Sequence, residues 1–133
     1  MSGPDGTSYT RINLRDVDDS AVRFGLSEIQ EARFAGGDLE AKATGIAHQV
    51  IRPGKRQAFG HRHEVAEEVY IVLAGGGRMK LDDQIMELAP RDAVRVAPTV
   101  TRCLEAGPDG LELLVVGPSH PGDGEVISGW WAE

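Results

Sequence analysis

Cysteine is nearly absent: Cys103 is the only one in 133 residues. No intrachain disulfide can form, a usage that fits a reducing, cytoplasmic setting. Long apolar runs are missing too. No stretch approaches the roughly 18 residues that read as a membrane helix, and the opening segment MSGPDGTSYT has no signal-peptide core. There is also no basic run. Lys and Arg number 14 against 21 Asp and Glu, a net charge of −7. Neutralising nucleic-acid phosphates needs clustered cations, as does docking on an anionic membrane, so neither partner is expected.

What the chain has in quantity is glycine, 17 residues, joined by 7 prolines. They punctuate short apolar runs at 8–14, 31–35, 44–51, 58–63, 68–74, 77–82, 84–88, 93–97, 101–106 and 111–117. Such runs between turn residues read as strands. Asp82-Asp83 is the clearest hairpin turn, while LSEIQEARF (26–34) fits a short helix or a strand. About ten strands with short connections predict an all-β fold of closed or double-sheet type, such as a jelly roll. The length suits one domain, 1–133, with a barrel core of about 30–117, an N-terminal arm over 1–20 and a C-terminal tail over 118–133. The tail ends in Trp130-Trp131. Two indoles are expected to pack rather than float: over an edge or end of the barrel, in a dimer contact, or as a lid.

The chemistry concentrates in GKRQAFGHRHEVAEEVYIVLAG, residues 54–75. His61 and His63 stand two apart, so on a strand both imidazoles point to one side. Glu68 opens the next run and can reach the same point if the two strands pair. Two histidines and one carboxylate can cap one face of a divalent ion (Mn, Fe, Ni, Co or Zn) and leave open positions for water, substrate or dioxygen. Tyr70 shares the face of Glu68 and can either offer its hydroxyl to a pocket or pack in the core. His48 alternates with Val50 and Arg52 and can face the pocket. His120 reads as a loop residue, and Cys103 as a small buried apolar residue without a nucleophile's partner. Arg52, Arg62, Arg95 and Arg102 could together favour anions.

The same segment resembles the first motif of the cupin superfamily: Gly54, six residues, His61-Arg62-His63, four residues, Glu68, six residues, Gly75. Only the spacer before His61 departs, being one residue longer than usual. The family's second motif is matched in shape by PRDAVRVAPTVTRCLEAG (90–107) but not in residues. Arg102 stands where the family has its histidine, Ala106 where it has asparagine, and Arg91, Ala97 and Thr99 replace two glycines and a proline. The resemblance implies a jelly-roll barrel, a double-stranded β-helix with a central pocket. It implies His61, His63 and Glu68 as metal ligands, and a homodimer. It does not imply one reaction, since cupins include isomerases, dioxygenases, decarboxylases and binding domains.

Arg102 weighs against the metal. Arginine stays protonated and has no lone pair to give. At about 5 Å from a divalent ion its repulsion is roughly 6–7 kcal/mol at an effective dielectric near 20. Arg102 can swing away, pair with Glu68 in place of an ion, or share an anionic ligand with one. The expectation is therefore a barrel that binds a small polar, anionic molecule, with Arg102, Tyr70 and His48 as its contacts and a metal at His61, His63 and Glu68. The alternative is a metal-free binding module in which Arg102 is tied to Glu68 and nothing turns over.

Overall fold

The computed structural model describes residues 8–132. Its strands are β1 (Gln30–Phe34), β2 (Thr44–Ile51), β3 (Phe59–His63), β4 (Glu68–Leu81), β5 (Gln84–Leu88), β6 (Ala93–Val96), β7 (Arg102–Pro118) and β8 (Gly124–Ser128). A 3-10 turn (Leu14–Asp16) and one helical turn, α1 (Ser20–Arg23), precede them. Every pairing is antiparallel, and the curled sheet is the expected jelly-roll barrel.

The two longest strands form its spine. β4 and β7 pair along most of their length, from Val69↔Val116 to Leu81↔Arg102. The early half of β4 also pairs with β6 and its late half with β5. On the other side of β7, its late half carries β2 and then β1, while Arg102 at its start meets β3, which carries β8. The sheet thus splits into two halves that fold toward each other. Between them lies a core that includes Ile51, Tyr70, Val72, Met79, Leu104, Leu111 and Leu113.

The sequence reading expected Gly75-Gly76-Gly77 and the GPDG segment to end strands. They instead sit inside β4 and β7, where the register shifts. A Cβ on Gly75 (φ +73°) would lie 2.0 Å from the carbonyl oxygen of Gly110, and one on Gly77 would lie 2.0 Å from that of Glu105. The glycines let two backbones pass at the barrel's corner without breaking the ladder. The Asp82-Asp83 hairpin forms as read, with Leu81 opposite Gln84, and LSEIQEARF supplies β1.

Both ends differ from loose arms. The run 8–14 forms no strand of the sheet; residues 1–7 of the expected arm lie outside the described residues. The rest is tied down by Asp19, whose carboxylate accepts from the amides of Ala21 and Ala32. The tail supplies β8, which pairs with all of β3. Beyond it, Trp131 is buried with the Arg56 and Arg78 guanidiniums 4.3 and 5.1 Å from its ring. Lys80 lies 4.5 Å over Trp130. These cations sit on the outer face of the sheet, so the indoles cover the barrel's outside and neither lines its cavity. Cys103 lies on that outer face, 1% exposed, and burial pushes its thiol up to about 11. We expect no labelling of folded protein by iodoacetamide at pH 8 over an hour and full labelling in guanidinium, read by intact mass. Rapid native labelling would mean that the tail does not stay docked.

Candidate metal centre

β3 keeps the expected alternation: His61 and His63 both face the barrel interior, their rings 5.3 Å apart and edge-on. Glu68 arrives differently from the sequence expectation. Its strand does not pair with β3; β4 pairs with β5, β6 and β7. The four residues 64–67 carry the chain from one half of the sheet to the other, so the carboxylate meets the imidazoles across the barrel. Nε2 of His61 and Nε2 of His63 each lie 3.4 Å from Glu68 Oε1, and the three ligating atoms all fall within 4.8 Å of one another. Ligands about 2.0–2.1 Å from a tetrahedral zinc-sized ion stand roughly 3.4 Å apart, so both histidine-to-carboxylate spacings suit an ion.

The charge states suit one as well. Burial lowers the His63 pKa, aided by neighbouring His61 and Arg102 and opposed by Glu68 and Asp123. A neutral imidazole keeps a lone pair to donate. Burial works against ionisation of Glu68, but the His61 hydrogen bond and the charges of His61, His63 and Arg102 outweigh it and hold the carboxyl below its ordinary range. Both ring nitrogens of His63 are buried without a hydrogen-bond partner, an arrangement native proteins rarely leave unanswered. On its chemistry and its orphaned nitrogen, this donor set fits a divalent ion.

Tyr70 completes the group. Its hydroxyl donates to Glu68 Oε1 at 3.0 Å and stands 3.5 Å from His61 Nε2. Burial, reinforced by the Glu68 charge, raises its pKa well above the usual value, so the phenol stays protonated. Arg102 lies behind this cluster, 1% exposed. Its Nη1 donates to the carbonyls of Pro98 and Val100 at 3.2 and 2.9 Å, and its Nη2 is 3.6 Å from Glu68 Oε1. Arg102 thus stands within ion-pair range of Glu68.

Two expected ligand contacts are corrected. Arg102 does not line the cavity, because the backbone carbonyls of its own loop hold the guanidinium in the interior. His48 does not line it either: Ala47 and Gln49 do, and by alternation His48 points outward, where its Nε2 is 2.7 Å from Glu112 Oε2. Arg52, Arg62 and Arg95 pair with Glu31, Glu125 and Glu67. No Lys or Arg is among the described residues that line the cavity, which removes the ground for expecting an anion.

The cavity measures about 820 Å³. Phe24, Leu26, Phe34, Phe59, Val115 and Val126 give it mostly apolar walls, with His61, His63, Glu68 and Tyr70 as a polar spot. α1 and the turn after it form part of the wall, a role the sequence did not suggest for the N-terminal segment.

Sequence reasoning also missed Asp123. Its carboxylate accepts from the amides of Glu64, Val65 and Ala66 at 2.9–3.2 Å and lies 3.5 Å from His63 Nδ1. Desolvation opposes its ionisation, but those amides outweigh it and keep the carboxyl below its ordinary value. A residue from the tail thereby holds the loop between the two strands that carry the candidate ligands and stands behind one imidazole. The only signal was a lone Asp among glycines, the pattern of an ordinary turn. Losing such an outer partner lowers metal affinity by roughly 10–100-fold. We expect Asp123→Asn to weaken binding of added Zn or Mn about tenfold by titration calorimetry; unchanged affinity would make Asp123 a loop anchor alone.

A family model of the cupin domain matches residues 47–117, more than half of the chain. The chain belongs to the cupin family. No curated protein sequence matches it, whereas many solved structures share its fold. A cupin protein from Bacteroides fragilis superposes with a TM-score of 0.66 at 20% identity, covering 87% of each chain. The polyketide cyclase RemF from Streptomyces resistomycificus gives 0.71 at 22% identity, over 93% of this cupin and 87% of that chain. The DMSP lyase DddQ from Ruegeria pomeroyi gives 0.67 at 16%, over 95% and 62%. At these identities the likeness is one of fold.

Proposed function

We propose that this cupin holds a divalent ion through His61, His63 and Glu68 and presents it to a largely apolar small molecule that carries oxygen atoms able to bind it. The observation behind this reading is the convergence of two imidazoles and a carboxylate, one imidazole without a hydrogen-bond partner, on the wall of an apolar cavity with no Lys or Arg among its described lining residues. A bound ion supplies Lewis-acid chemistry, polarising a carbonyl or activating water. The chain's own residues orient the components. Tyr70 donates to Glu68 and limits how that carboxylate can turn. Arg102 offsets part of the negative charge from behind. The apolar walls offer surface for the carbon frame of a ligand beside the polar spot.

The metal-free binding module has one observation in its favour, the Arg102 to Glu68 pair at 3.6 Å. That pair already gives the carboxylate a counter-charge. Elemental mass spectrometry of untagged protein purified without chelators separates the two readings. About one Mn, Fe, Co, Ni or Zn per chain is expected. No metal, even after reconstitution with each ion, would leave the metal-free module standing.

A further inference from the structure

Three glutamines line the cavity: Gln30, Gln49 and Gln57. Gln30 is on β1 and only 7% exposed. Gln49 faces it diagonally from β2, opposite Ala32, and Gln57 precedes β3. Their hydrogen bonds form a chain with one direction. The Leu104 amide donates to Gln57 Oε1 at 3.0 Å. A backbone N–H can only donate, so the oxygen of Gln57 is assigned and its Nε2 must donate onward. It does so twice, to Gln30 Oε1 at 3.1 Å and to Gln49 Oε1 at 3.5 Å. Both outer glutamines are therefore held oxygen-inward, and their NH2 groups are left over. Neither NH2 group has an acceptor among the described residues.

From this geometry we infer that Gln30 and Gln49 form a donor pair for a neutral carbonyl oxygen of the ligand. The inference rests on the reading of the cavity as a site for an apolar, oxygen-bearing molecule, and it names that molecule's class: a ketone. Amide donors in an apolar wall are stabilised by an acceptor and discriminate against a ligand that lacks one. A ketone oxygen has two lone pairs and can take one N–H from each glutamine. A carboxylate suits the place less well, because no Lys or Arg among the described residues lines the cavity to offset its charge.

Flavanone and flavan test this, since they share one shape and differ by a single carbonyl. Binding is measured by titration calorimetry on the protein as purified and again after chelator treatment. Flavanone is expected to bind about tenfold more tightly than flavan, with or without chelator. In Gln49→Leu, and separately in Gln30→Leu, the ratio is expected to fall to about twofold or less while flavan affinity holds or rises. Retained flavan binding also shows that each variant has folded around its cavity. A tenfold preference that disappears with chelator and ignores the glutamines would overturn the inference and leave the metal reading intact, the carbonyl then sitting at the ion. A preference insensitive to both treatments overturns it as well. Failure of both compounds to bind the parent protein overturns the apolar-ligand reading and the donor pair with it.

Discussion

His63→Ala is expected to cut the metal content from about one ion per chain to less than a tenth, by elemental mass spectrometry. The chain offers three protein ligands, and the position where the family has a fourth is an arginine that cannot replace a lost one. His63 Nε2 has no hydrogen-bond partner, so its removal costs only the 3.4 Å approach to Glu68 at that atom. The remaining pair, His61 and Glu68, is a two-ligand site of the kind found widely on protein surfaces. His48→Ala serves as the control. That imidazole pairs with Glu112 away from the cavity, so metal content should stay at the parent's level. A thermal melt gives a second readout. Binding to the native state alone stabilises by about 2.7 kcal/mol when free metal is a hundred times its dissociation constant. The parent should gain that protection from added ion and the His63 variant should not. Metal retained at parental levels in His63→Ala would place the ion elsewhere and remove the basis of the proposed function.

The second large effect belongs to Arg102. Arg102→Met should destabilise the metal-free protein by about 3 kcal/mol, the lower end for breaking one side of a buried ion pair. For a domain of this length that is a fall of about 10 °C in Tm. Two losses combine. Glu68 is left with less positive charge beside it, and the carbonyls of Pro98 and Val100 lose a charged donor. Saturating metal should recover part of the deficit in Arg102→Met, because the ion supplies the charge that Glu68 has lost. Arg102→His tests the electrostatic argument from the other side. It removes the fixed charge behind Glu68 and offers a lone pair, so affinity for Zn or Mn should rise at least tenfold by calorimetry. If neither substitution changes metal affinity, Arg102 is a purely structural buried cation and its closeness to Glu68 carries no functional weight.

Much of this site was legible because strand geometry is local. The two-residue spacing of His61 and His63 is enough to put both rings on one face of any strand, and so is that of Glu68 and Tyr70. Arg102 and Cys103, neighbours on β7, take opposite faces on the same ground. The errors came where alternation needed an origin. The phase of β2 depends on which face β7 and β1 leave toward the cavity, and nothing within TGIAHQVI states it, so His48 was read inward when Ala47 and Gln49 are. The glycine-rich stretches misled for a related reason. A glycine that ends a strand and one that lets two strands cross closely look identical until the facing backbone is known, and the carbonyl oxygens of Gly110 and Glu105 stand where the Cβ atoms would be.

The sequence by itself determined the all-β class, the cupin motif and the three residues that could hold a metal. Each of these depends on residue type and on spacing within a few positions. Only the tertiary structure decided that Glu68 reaches the histidines across the barrel rather than along a strand pair. It alone brought Asp123 from the tail to the loop beside His63, turned Arg102 away from the cavity, and joined Gln30, Gln49 and Gln57 into one directed chain. Asp123 reaches Glu64 from 59 positions away, and Gln57 reaches Gln30 from 27. Long-range contacts of that kind arise from how two sheet halves close over a shared core, and short-range pattern carries no record of it.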